Sequence, residues 1–255
     1  RRWDQMGCSF ENGRLKETEA SRGLAYDIEV VADGRRVSVT GNDPADLPGL
    51  VDRAVTLVRI GSAAHFSAYP APASITSVKT YSPETAALSR ERMIEACRAI
   101  VDALKAYDPD LFIQVGSGRH ESETLLATSG GVRHHVRETH WGLGGGVQRT
   151  QGTDMLFTGY GRGWRDLNEL WDPDWISRRV LEDLRNGEAV ADAPAGKATL
   201  LLPPQAFQML LTPLVMGVNG RNVIKGDSPL RGRIGEQVLD PCLTLTDNPH
   251  LDFAG

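Results

Sequence analysis

The stretch Gly130–Gly146 reads GGVRHHVRETHWGLGGG and holds three of the chain's six histidines. It could be a metal-binding helix, a phosphate loop or a β-strand. On a helix, His135 and His140 are five positions apart and miss the i, i+4 spacing of zinc helices. A phosphate loop needs a helix N-terminus directly after its glycines. Here Val147–Phe157 continues with strand-like residues, and no Gly-Lys-Ser/Thr follows. On a strand, successive side chains point to opposite faces. His134 and His140 then share a face roughly 20 Å apart, at about 3.3 Å per residue, while His135 points away. The sequence therefore predicts a strand whose histidines do not share one ion. The run Gly142–Gly146 is expected to form a tight turn or bulge. The cluster Gly159–Trp164 is expected to be a flexible surface turn.

Working outward, the segment before this stretch is strand-rich at its start. Asn12-Gly13 is a hairpin turn signal. Leu24, Tyr26, Ile28 and Val30 alternate with Ala25, Asp27, Glu29 and Val31, a period of two. Ala32-Asp33-Gly34 turns the chain into Arg35–Thr40, so the first forty residues are expected to form one β-meander. A helix over Pro44–Ile60, capped by Asn42 or Asp43, places Leu47, Leu50, Val51, Ala54, Val55 and Val58 on one stripe. Residues 61–82 read as a connector. One long helix is expected over Glu84–Tyr107, with Met93, Ala96, Cys97, Ile100, Val101 and Leu104 inward, stopped by Asp108-Pro109.

After the central stretch, a helix is expected over Trp171–Asn186, with Trp175, Ile176, Val180, Leu181 and Leu184 inward. A short strand over Ala198–Leu202 and a helix over Gln205–Val218 follow, the helix C-capped by Asn219-Gly220. The element order gives an α+β fold: an N-terminal β-meander with packed helices, then a second mixed β/α block. The expected domains are 1–107 and 108–255, the second holding helix 205–218 and a Gly-Glu loop.

The chain has 255 residues, 40% hydrophobic and 24% charged, with net charge -5. This composition is that of a globular protein. The acidic balance argues against general nucleic-acid binding. Cys8, Cys97 and Cys242 form no CxxC pair, which argues against a zinc ribbon or a disulfide framework and points to the cytoplasm. No apolar run approaches the roughly 18 residues of a membrane span. No signal peptide is read at the N-terminus, where Arg1 is not an initiator methionine. Ser117, Ser122 and Ser129 lie in no nucleophile-elbow pattern. Cys97 sits on an apolar stripe, as a core residue does. The residues alone present no catalytic constellation.

The C-terminal quarter carries a more specific signal. ATLLLPPQAFQMLLTPLVMGVNG precedes GDSPLRGRIGEQVLDPCLTLTDNP. Gly232, Gly235, Glu236, Pro241, Leu243, Thr244, Asp247, Asn248 and Pro249 match a Gly-x-x-Gly-Glu loop and the motif after it. In these residues the chain resembles the TldD/PmbA (TldD/TldE) family. The order of the N-terminal part agrees, including a Ser129-Gly130-Gly131 turn between strands. The resemblance implies a family of zinc-dependent peptidases whose TldD-type members carry His-Glu-x-x-x-His on the helix. It implies that TldE/PmbA-type members lack that motif and pair with a TldD-type subunit to degrade or trim unfolded peptides. The motif positions here are Thr212, Pro213 and Gly217, and none can ligate zinc or serve as a base.

The resemblance therefore implies a noncatalytic TldE/PmbA-like subunit with no cofactor of its own, zinc being expected in a TldD-like partner. The partners implied are that catalytic subunit and an unfolded or extended peptide. His134, His135, His140, Arg231, Arg233 and Glu236 are the residues expected to face a peptide or partner. Two other readings remain open: an independent metallopeptidase using His134, His135 or His140, and a non-enzymatic interaction protein of the modulator of DNA gyrase type. Family members continue into a C-terminal β-rich domain, which is expected to be absent here.

Overall fold

The structure is a computed structural model describing residues 1–74, 76–189, 191–192 and 195–254; the side chains of residues 204 and 205 are not described. Residue 75 of the expected connector and residue 255 lie outside the described residues. Strands β1 (Arg2–Glu11) and β2 (Arg14–Leu24) form the first hairpin. Asn12 and Gly13 at its turn have φ of 48° and 82°, as a type I′ turn requires of both central residues. Strands β3 (Tyr26–Ala32) and β4 (Arg35–Gly41) form the second hairpin, turned at Asp33 and Gly34.

The expected single meander is corrected here. The second hairpin joins β5 (Ser62–Ala63) in a separate three-stranded sheet. Alternation locates strands but does not say which edges pair. The free edge of β1 goes to a strand much later in the chain.

Helix α1 (Leu47–Leu57) lies between two 3-10 turns. Asp43 caps the entry, its Oδ1 accepting from Ala45 N at 2.9 Å. Only Leu50, Ala54 and Val58 of its expected stripe are buried, while Leu47, Val51 and Val55 stay exposed. A sheet of three short strands covers only a narrow face.

The expected helix 84–107 is two pieces, α2 (Pro83–Ala86) and α3 (Arg90–Tyr107). Ser82 and Ser89 each accept from the amide three residues on, so the second cap restarts the helix. All six residues of the expected α3 stripe are buried, and each larger one contributes about 1.5–3 kcal/mol.

Strands β6 (Phe112–Ala127), β7 (Arg133–Gln151) and β8 (Asp154–Trp164) complete a five-stranded antiparallel sheet of order β2-β1-β6-β7-β8. The turn between β6 and β7 is the expected one, with Gly131 at φ 94°. A Cβ on Gly130 would stand 2.2 Å from the carbonyl oxygen of Pro70, so only glycine fits that close approach. Helix α4 (Pro173–Asn186) is capped by Asp172, whose Oδ1 accepts from Trp175 N at 2.9 Å. Together α3 and α4 cover one face of the sheet. Trp141 is fully buried there; its indole N–H donates to Asp166 O at 2.6 Å and its ring meets Trp171 edge-on at 5.2 Å. Cys8 and Cys97 bring their sulfurs to 3.8 Å in the same core.

The chain divides into two compact units, Arg1–Ala189 with Asn248–Gly255, and Val190–Asp247. The expected boundary at 107/108 falls between α3 and β6, which pack together in the first unit. The second unit holds α5 (Pro204–Val218) and α6 (Gly220–Lys225). Residues 198–202 form no strand there, and Leu200 and Leu201 are exposed. Asn219 ends α5 as expected, in an extended conformation, and also starts α6: its side chain accepts from Arg221 N, and the left-handed cap is Gly226 at φ 88°, at the end of α6.

Candidate functional site

The face of the large sheet opposite α3 and α4 is nearly bare of side chains at its centre. Register alone builds it, in rows running across the strands. One row is Gln5, His120, His140. The next is Glu19, Gly7, Gly118, Gly142, Gly163. Then come Glu17, Ser9, Gly116, Gly144, Gly161, followed by Glu11, Gln114, Gly146, Gly159. The last row is Phe112, Gln148, Phe157.

The glycines expected to form a tight turn at 142–146 and a flexible turn at 159–164 are therefore paired strand interior. Their period of two, glycine alternating with Leu143, Tyr160 and Arg162, was the signal that glycine's usual depletion in strands obscured. The backbones close up here: a Cβ on Gly146 would lie 3.0 Å from Thr158 O. Two hollows of about 630 and 370 Å³ lie along this face and share Gly116 and Gly144. Glu17 and Glu19 make the β1/β2 side acidic, Glu11 being paired there with Lys16 at 2.6 Å, and Phe112 and Phe157 close one end with exposed rings.

His140 lies on this face, directly opposite His120. His134 shares that side of β7 further along, and His135 points to the other side, where its Nε2 meets Glu123 Oε1 at 2.8 Å. That contact, more than any other, holds the Glu123 carboxyl below its ordinary value. Burial lowers His120, with the positive charge of Arg1 and the neighbouring His140 adding to it. His120 is not among the residues expected from sequence, although the turn at residue 130 fixes its partner. Arg231, Arg233 and Glu236 lie in the second unit, where Arg233 Nε donates to Glu236 Oε2 at 2.8 Å.

Helix α5 carries Thr212, Pro213 and Gly217. The Thr212 hydroxyl donates back to Gln208 O at 3.0 Å. Pro213 sits inside the helix and removes a backbone donor. Gly217 is closed off by its surroundings: a Cβ there would stand 3.2 Å from Leu230 Cδ1, and the Ser228 hydroxyl donates to Gly217 O at 2.5 Å.

Residues 83–187 match the PmbA/TldA metallopeptidase central domain, and residues 195–255 match the C-terminal domain of the same family. The chain belongs to the PmbA/TldD family. A metalloprotease of Methanothermobacter thermautotrophicus is 22% identical over 261 residues, covering 96% of this chain and 55% of that protein. A proposed modulator of DNA gyrase from Bacteroides thetaiotaomicron superposes with TM-score 0.84 at 20% identity, covering 99% of this chain and 59% of the other. TldE from Thermococcus kodakarensis superposes with TM-score 0.80 at 17% identity, covering 92% and 54%.

The chain thus spans little more than half the length of each of these relatives. The expected absence of the family's C-terminal domain is corrected by this match, which covers residues 195–255. The PmbA/TldD family is one of metallopeptidases, but Thr212, Pro213 and Gly217 do not fit a zinc ion. One is a back-bonded hydroxyl, one is an imino acid and one has no side chain. Among the described residues no group of three or more His, Cys, Asp or Glu is placed to hold a metal, and no helix is long and apolar enough to cross a membrane.

Proposed function

We propose that the chain acts as the noncatalytic, TldE/PmbA-like subunit of a two-subunit zinc metallopeptidase, working in the cytoplasm on unfolded or extended peptides. The observation that carries this reading is α5. Where the family's catalytic members place two histidines and a glutamate, this helix has no ligand, and Leu230 and Ser228 fill the space beside Gly217. A single change to histidine cannot restore a ligand there without moving Leu230. The partner supplies the metal and the base. This chain supplies binding surface, for which the glycine face offers room for an extended backbone to lie close to the sheet. A direct role on DNA is disfavoured by the net charge of -5.

The test mixes the purified chain with a family member that carries His-Glu-x-x-x-His. Co-elution as one complex, with unfolded-peptide cleavage in the mixture and none from this chain alone, is expected. Cleavage by the chain alone overturns the reading, as does a mixture that neither associates nor gains activity.

A further inference from the structure

His120 and His140 stand directly opposite each other on adjacent antiparallel strands. Both point to the open face and line the same hollow of about 370 Å³. Directly opposed residues hold their Cβ atoms about 4.5–5.5 Å apart, a spacing that two imidazoles can span with one ion between them. Gln5 continues the row on β1, opposite His120, and lines the same hollow.

Neither imidazole makes a hydrogen bond or ion pair among the described residues, unlike His135, which Glu123 occupies. The His140 ring lies over Gly163, where a Cβ would approach its Cε1 to 3.1 Å. Glycine at 163 therefore gives the ring room to lie beside the sheet.

We propose that His120 and His140 form a two-imidazole site for a divalent transition ion of the copper–zinc end of the first row. Imidazole suits both ions, and Cu²⁺ has the highest affinity of the series for such ligands. Two protein donors leave the remaining coordination positions open toward the glycine face. A hydrolytic zinc site uses three protein ligands, so this is a binding site and not a second peptidase centre. The inference is independent of whether the chain pairs with a catalytic subunit.

Calorimetric titration with Cu²⁺ and with Zn²⁺ tests it, on the full chain carrying Cys242→Ser so that the exposed thiol takes no part. One ion per chain is expected. His120→Ala and His140→Ala should each weaken binding by more than the about 10–100-fold that changes behind a ligand cost. The Cu²⁺ electron paramagnetic resonance spectrum should show two nitrogen ligands in the parent and one in either variant. His134→Ala, on the same strand, should leave binding unchanged. Absence of a stoichiometric site, or binding that survives both substitutions, overturns the proposal. Circular dichroism of each variant separates a lost ligand from a lost fold.

Discussion

Gly145 is the one glycine of the central run that faces the helices, and the structure says what a side chain there would meet. A Cβ at this position stands 3.1 Å from both Ile100 Cγ2 and Val115 Cγ2. Ile100 is fully buried and Val115 nearly so, so neither can swing away into solvent. Overpacking of this kind costs about 1–3 kcal/mol. Alanine recovers about 0.4–1 kcal/mol by restricting the unfolded chain. Gly145→Ala should therefore destabilise the fold by roughly 0.5–2 kcal/mol, the difference of these two effects. Ile100→Ala alone should cost about 2–5 kcal/mol, because it opens a cavity over the same spot. In the double variant the new methyl occupies part of that cavity, and a favourable coupling of about 0.5–3 kcal/mol is expected. Urea unfolding followed by tryptophan fluorescence measures all four corners of the cycle. A Gly145→Ala variant as stable as the parent, or strict additivity in the double, refutes the idea that α3 crosses the sheet on this glycine.

Three further outcomes follow from other parts of the molecule. Trp141→Phe should cost about 1–3 kcal/mol, since it leaves the carbonyl of Asp166 without its indole donor; chemical denaturation checks this. Cys242 is the exposed cysteine, and its hydrogen bond to Asp240 raises the thiol above its ordinary value. The thiolate is then scarcer at a given pH, so the alkylation midpoint should lie above that of a free thiol and fall in Asp240→Asn, while native Cys8 and Cys97 stay unlabelled. Pro213→Ala should restore a backbone hydrogen bond within α5 and relieve a penalty of about 3 kcal/mol. Slower amide exchange at residues 209–213 is the readout, and unchanged exchange would mean that the surroundings, rather than the proline, set the helix geometry.

Periodicity revealed what is local in this fold. The stripe of α3 and the strand character of the opening stretch were legible because burial leaves a period of 3.6 or 2 in the sequence. Pairing was not legible from alternation. The first two hairpins look alike, yet one lies in the large sheet and the other does not. The glycines of β7 and β8 misled because glycine usually marks turns, and here it marks a face where backbones approach closely. His120 could have been found: a hairpin centred on residue 130 pairs positions equally far from it, which sets it against His140. Spacing along one strand does not show this, because the relation runs between two. The packing of Leu230 and Ser228 around Gly217 leaves no sequence trace, because it joins a helix to an irregular loop.

The position of β1 between β2 and β6 constrains how the chain can be made. A ribosome delivers β1 and β2 together, but about a hundred residues separate β1 from β6, or roughly 5–20 s of synthesis at about 5–20 residues per second. Through that interval one edge of the hairpin has open amide and carbonyl groups, which is the condition under which nascent chains stick to one another. The nascent hairpin must be kept solitary until the later strand arrives, so yield should depend on chaperone supply and on translation speed more than on final stability.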